Sequence, residues 1–249
     1  RQISHHRSGH VLGPDRLADY LLALERQGCS NINLVSPTHF AVPLAEALAE
    51  ARRRGLSLPV MLNSSGYESI ATLEMLRPYV DIFLMDIKYG DNHTAERLSR
   101  VSDYWDKTRQ AVNWCWETAG ALREDAAGAG IAGLIVRHLV LPGMLSNPFA
   151  VLEFVAGLSL EIPVSLMSQY DPQFYAGAIA EMHRPLEKDE YAVVLERAFK
   201  LGFQTMFAQD MDCVQNYSPD FTAPRPFGDT TNLLGGASGI TGENMAQYQ

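Results

Sequence analysis

Strand-length apolar runs, each ended by a polar cluster and followed by a stretch with helical spacing, recur along most of this chain. The clusters are Val35-Ser36-Pro37-Thr38-His39, Asn63-Ser64-Ser65-Gly66-Tyr67, Asp86-Ile87-Lys88, Arg137-His138 and Ser168-Gln169-Tyr170. A β-then-α rhythm of this kind builds a parallel sheet through right-handed crossovers. All the polar clusters then fall at one rim, at the carboxyl ends of the strands, where α/β folds place ligands and chemistry. The fold expected is α/β and the class of protein expected is an enzyme.

The elements can be placed along the chain. After Gly13-Pro14, Leu17, Tyr20, Leu21 and Leu24 recur at helical spacing up to Gly28. Asn31 to Val35 alternates and breaks at Pro37, and Leu44, Ala47, Leu48 and Ala51 mark the next helix. Strands follow at Pro59 to Leu62 and Val80 to Met85, the first trailed by a helix from Glu68 to Leu76. Asp81 to Met85 is nearly continuously apolar, as in a strand covered on both faces. One helical pattern covers residues 91–125, and Ala126 to Gly130 reads as a flexible link. Strands at Leu134 to Val140 and Pro163 to Met167 and a helix from Glu187 to Leu201 complete five strands. Five parallel strands curl toward a barrel without closing it. Residues 1–227 read as one domain, and the Gly/Ser/Asn-rich residues 228–249 read as a disordered tail.

Composition narrows the function. With 249 residues, 47% hydrophobic, one full α/β core is affordable. A net charge of −9 and no basic stripe argue against a nucleic-acid partner. No apolar stretch approaches the roughly 20 residues that span a bilayer, so no membrane partner and a cytoplasmic location are expected. Cys29, Cys115 and Cys213 are odd in number and far apart, which suits a reducing compartment and does not spell a metal site. His5, His6 and His10 lack a second half-site and read as a solvated loop.

Among the rim residues, Asp86 and Lys88 alternate at a strand end and so project to the same side. They suit a zwitterionic ligand, a structural ion pair, or, with Lys88 desolvated, a Schiff-base lysine. Arg137 lies within an apolar strand and must meet an anion, either a ligand carboxylate or a protein one such as Asp86. His138 points the other way and reads as a satisfied buried histidine. Asn63 to Tyr67 supplies hydrogen-bonding side chains suited to ribose hydroxyls, or simply a helix entry. Ser36-Pro37-Thr38 is a capping turn or a loop facing a ligand amine.

Taken in order, Val-Ser-Pro-Thr-His, Asn-Ser-Ser-Gly-Tyr-Glu, Asp-Ile-Lys-Tyr, Val-Arg-His-Leu-Val-Leu-Pro-Gly and Asn-Tyr-Ser-Pro-Asp-Phe resemble radical SAM proteins related to the pyruvate formate-lyase activating enzyme. The resemblance runs from Arg1 to about Phe227. It implies an open, partial (β/α)6 TIM-like barrel and an oxidoreductase. In that family a [4Fe-4S] cluster on a C-x3-C-x2-C loop chelates S-adenosyl-L-methionine, whose reductive cleavage yields a 5′-deoxyadenosyl radical. The implied partners are an electron donor such as flavodoxin or ferredoxin and a substrate, either a glycyl radical protein or another molecule. By the same resemblance, Ser36, Pro37 and Thr38 contact the methionine amine, and Asn63 holds the ribose with Ser65 nearby. Asp86, Lys88 and Arg137 match polar and carboxylate-binding positions, Leu139 flanks the adenine, and Tyr170 lies near the nucleoside.

No C-x3-C-x2-C motif is present. The resemblance implies that the cluster loop and the first strand lie upstream of Arg1, and that the chain alone is inactive. Two other readings remain at this point: a barrel-type Schiff-base lyase using Lys88, and a cluster-free module that binds a nucleoside.

Overall fold

The chain lays its parallel strands side by side in the order in which they are made. The computed structural model describes residues 11–172 and 177–211. Its strands are β1 (Ile32–Val35), β2 (Val60–Ser64), β3 (Ile82–Asp86), β4 (Arg123–Glu124), β5 (Gly130–Leu139), β6 (Val164–Met167) and β7 (Met206–Ala208). The sheet order is β1-β2-β3-β5-β6-β7, every neighbouring pair parallel, with β4 antiparallel to β5. The helices are α1 (Pro14–Arg26), α2 (Ala41–Arg53), α3 (Ile70–Leu76), α4 (Asn92–Ser99), α5 (Tyr104–Ala119), α6 (Pro148–Leu158) and α7 (Lys188–Leu201).

That order decides where the open surface lies. Each right-handed crossover moves one strand in the same direction, so successive helices stack on the same face of the sheet. Burial along the strands follows this division. Phe83 and Met85 of β3, Leu134, Val136 and His138 of β5, and Val164 and Leu166 of β6 are buried under the helices. The alternate residues Leu84, Asp86, Ile135, Arg137, Leu139, Ser165 and Met167 are only partly covered. The sheet is an open half-barrel whose concave face reaches solvent, and β1 and β7 are its unpaired edges among the described residues.

Individual contacts fix the layers. Tyr191 of α7 is 1% exposed; its hydroxyl donates to the Leu166 carbonyl at 2.8 Å and accepts from the Gln209 amide at 3.1 Å, tying that helix to β6 and to the end of β7. At the opposite end of the sheet, Asp81 accepts from Arg52 at 2.7 Å and from the Val60 amide at 2.8 Å, which sets β2 against β3. Trp114 meets Phe83 edge-on at 6.0 Å, packing α5 against β3.

Several boundaries differ from the sequence expectation. Six parallel strands are present, not five; β7 has three residues, too few for alternation to register. The helical stretch across 91–125 is two helices and a strand. It breaks at Arg100, which takes a left-handed conformation (φ 57°) and closes α4. The link at 126–130 is a tight turn: the Asp125 carboxylate accepts from the Ala127 and Ala129 amides, both at 2.9 Å, and starts β5 at Gly130. Leu84 is only partly covered, so β3 is not buried evenly on both faces. The expected tail at 228–249, the His5, His6 and His10 group, and Cys213 lie outside the described residues. No helix among the described residues is long and apolar enough to cross a membrane.

Candidate functional site

Where β2, β3 and β5 end, four side chains meet on the concave face. Asp86 and Arg137 are direct neighbours across the parallel ladder, so both project to the same side. The Arg137 guanidinium donates through Nε to Asp86 Oδ1 and, through Nη2, to Asn63 Oδ1 at 2.8 Å, reaching over β3 to β2. Lys88 Nζ donates to the other Asp86 oxygen at 3.0 Å. Both structural ion pairs weighed from sequence, Asp86 with Lys88 and Asp86 with Arg137, are therefore present together.

The charge balance of this group matters chemically. It holds two cations and one carboxylate, all partly exposed: 24% for the Arg137 side chain, 17% for Asp86 and 46% for Lys88. Among the described residues, Arg137 Nη1 and the Asn63 amide nitrogen have no intramolecular partner. An anionic group arriving from the concave side finds a guanidinium edge and an ammonium already oriented by Asp86, the geometry that favours a carboxylate.

The loops behind these side chains are interlocked. Tyr104, at the start of α5, donates its hydroxyl to the Ser65 carbonyl at 2.9 Å, with the Asp86 carbonyl at 3.2 Å, and accepts the Lys88 amide at 2.8 Å. Burial pushes that phenol well above its ordinary range, so it remains a neutral donor. Ser36, the residue after β1, is left-handed (φ 49°) and donates its amide to the Asn63 carbonyl at 2.8 Å. A non-glycine residue in that region is strained and is held by its surroundings.

Thr38 turns away from the concave face. Its hydroxyl donates to Glu68 at 3.1 Å, and Ser64 donates to the same Glu68 oxygen at 2.5 Å. Burial raises the Glu68 carboxyl above its ordinary value, with the Ser64 and Thr38 hydrogen bonds opposing the shift. Glu68 thus joins the turn after β1 to the turn after β2. It lies inside the motif quoted from the sequence, yet was given no role there; its one signal was an acidic residue between a glycine turn and an apolar helix. Pro37 stands at the N-cap of the 3-10 turn Thr38–Phe40, and no side chain caps that turn.

Leu139 and Tyr170 belong to a neighbouring feature. Both pack against a small apolar cluster of Tyr89, Ala95, Tyr104, Leu141 and Met182, and the Tyr170 hydroxyl donates to the Met182 carbonyl at 2.8 Å. Tyr104 thus has one side in this cluster and its hydroxyl in the rim corner. His138 is fully buried, as expected: Nδ1 donates to the Ile87 carbonyl at 2.5 Å and Nε2 accepts from Ser146 at 3.1 Å. Burial pushes its pKa down to about 4, so it stays neutral and plays no part on the concave face.

No family model matches the chain. An uncharacterized protein of Methanocaldococcus jannaschii is 27% identical over 186 residues, which cover 74% of this chain and 50% of that protein. The chain therefore spans about half the length of this curated relative. Among solved structures, a domain of a pyruvate-formate lyase-activating enzyme from Bacteroides vulgatus matches with a TM-score of 0.51 at 12% identity, over 73% of this chain and 100% of that domain. At so low an identity the likeness is one of fold: a mostly parallel α/β sheet in a partial, unclosed barrel.

The two groups implied by the sequence resemblance fare differently against the residues present. The donor set at the rim suits the amino-acid end of S-adenosylmethionine, which carries both charges. An iron–sulfur cluster does not fit the described residues. Cys29 and Cys115 are free, Cys115 is buried with its thiol pushed toward the neutral form by that burial, and no group of three or more candidate ligands gathers anywhere among them.

Proposed function

We propose that this chain is the ligand-holding part of a radical SAM protein, and that its concave rim binds S-adenosyl-L-methionine. The observation that carries the reading is the Asn63–Arg137–Asp86–Lys88 chain of hydrogen bonds at the carboxyl ends of adjacent strands. Arg137 and Lys88 receive the ligand carboxylate, and Asp86 receives its amine while holding both cations in place. The free amide nitrogen of Asn63 faces the ribose, with Ser65 beside it. Backbone at Ser36 and Pro37 borders the amine, and Leu139 and Tyr170 supply an apolar flank for the adenine. In radical SAM proteins a [4Fe-4S] cluster and an electron donor such as flavodoxin or ferredoxin would supply reductive cleavage of this ligand; the described residues of this chain supply its binding and no cluster ligands. The target of that chemistry would be a glycyl radical enzyme or another substrate.

The Schiff-base alternative is disfavoured by one observation. Lys88 is nearly half exposed and paired with Asp86, whereas a lysine that forms imines must be desolvated and uncharged. Calorimetric titration of the chain with S-adenosylmethionine tests the proposal. Binding that weakens at least about tenfold in Arg137→Ala supports it, that loss corresponding to one charge-assisted hydrogen bond. Equal affinity in both proteins removes Arg137 from the site.

A further inference from the structure

The rim is built on two chain corners that have no regular hydrogen bonds to one another: Ser65-Gly66 after β2, and Ile87-Lys88 after β3. Beyond the last ladder pair of these strands, Ser64 with Met85, the ladder no longer joins them, although the second corner is tied to β5, the Ile87 amide donating to the Arg137 carbonyl at 2.8 Å and the Ile87 carbonyl accepting from His138. One hydroxyl joins the two corners to each other. Tyr104 Oη donates to the Ser65 carbonyl and accepts the Lys88 amide, so a single atom spans both corners. Its ring is itself fixed, 4% exposed, stacked on Tyr67 at 6.0 Å and met edge-on by Tyr89 at 5.4 Å. Tyr67 is tied in turn, its hydroxyl donating to Asp103 at 2.7 Å, next to the start of α5.

We propose that Tyr104 is a positioning residue that sets the spacing of these two corners, and so selects for a ligand bearing an amino-acid head. The inference rests on the reading of the rim as a site for S-adenosylmethionine. Asp86 and Lys88 flank the corner that Tyr104 holds: its hydroxyl accepts the Lys88 amide and lies within reach of the Asp86 carbonyl. Asp86 in turn orients Arg137. Releasing the corner loosens the cations that meet the carboxylate. It leaves alone the Leu139 and Tyr170 side chains that flank a nucleoside, because these are held by packing and by the Met182 carbonyl.

Tyr104→Phe keeps the ring and deletes the hydroxyl. Two ligands separate positioning from general loosening: S-adenosylmethionine, and 5′-methylthioadenosine, which lacks the amino-acid head. The variant is expected to bind the first about tenfold more weakly, the cost of roughly one hydrogen bond's worth of order, and the second within about twofold of the unmodified chain. Amide hydrogen exchange adds a readout that needs no ligand: the Lys88 amide should exchange at least about tenfold faster while the Phe83 and Leu134 amides keep their protection. An unchanged Lys88 amide, or equal losses for both ligands, overturns the proposal. If the unmodified chain binds neither ligand, the site reading itself falls, and the exchange arm still decides whether Tyr104 pins the corners.

Discussion

The carbonyl oxygen of Asp86 occupies the space a side chain at Gly66 would need: a Cβ there would lie 2.1 Å from it. Gly66 is also left-handed, at φ 82°. The missing side chain lets the corner after β2 slide under the corner after β3, where the Tyr104 hydroxyl joins them.

Gly66→Ala should therefore be among the most damaging single changes at the rim. The backbone carbonyl cannot move aside as a side-chain tip can, and φ strain adds to the clash. A loss of about 2–4 kcal/mol in denaturant unfolding is expected. A loss no larger than that of an exposed loop substitution would mean that the two corners are not packed as described.

Arg137→Lys separates charge from geometry. A lysine keeps the positive charge but cannot bond Asp86 and Asn63 together, as the guanidinium does. Stability should fall by about 1–2 kcal/mol as Asn63 loses its partner, with ligand affinity falling in parallel. Full retention of both in Lys would reduce Arg137 to a generic cation.

The buried titratable groups set a pH dependence with two opposite signs. Glu68 has its carboxyl raised above the ordinary value of 4.5 by burial, so its contribution is complete below that value and is lost as pH rises through the raised native value. His138 is pushed down to about 4 from 6.5, so its contribution is complete above 6.5 and is lost as pH falls toward 4. Glu68→Gln keeps an acceptor for Ser64 and Thr38 and removes the charge. Its melting temperature should gain on that of the unmodified chain as pH rises from 5 to 8. A constant difference across that range would show that Glu68 does not change protonation differently on folding.

The rim was legible in the sequence because side-chain direction in a strand is fixed by period-two geometry. Alternation puts Asp86 and Lys88 on one side, and the cost of an unpaired guanidinium names Asp86 as a candidate partner for Arg137; the ladder pairs Asp86 with Arg137 directly. Strand length limited the rest: β7 is too short to show alternation, and the break between α4 and α5 is carried by Arg100, a residue type with no turn signature. Tyr104 was visible only as an apolar helix residue, since its role depends on two carbonyls and an amide from loops 16 to 39 positions away. Glu68 was hidden for the same reason, because one of its hydrogen bonds comes from Thr38, 30 residues distant.

The central claim concerns where a ligand's carboxylate sits. A crystal structure of the chain grown with S-adenosylmethionine tests it most directly. The account predicts the carboxylate within hydrogen-bond distance of Arg137 Nη1 and Lys88 Nζ, with the ribose beside Asn63. A ligand bound elsewhere, or one whose carboxylate meets neither cation, would contradict it.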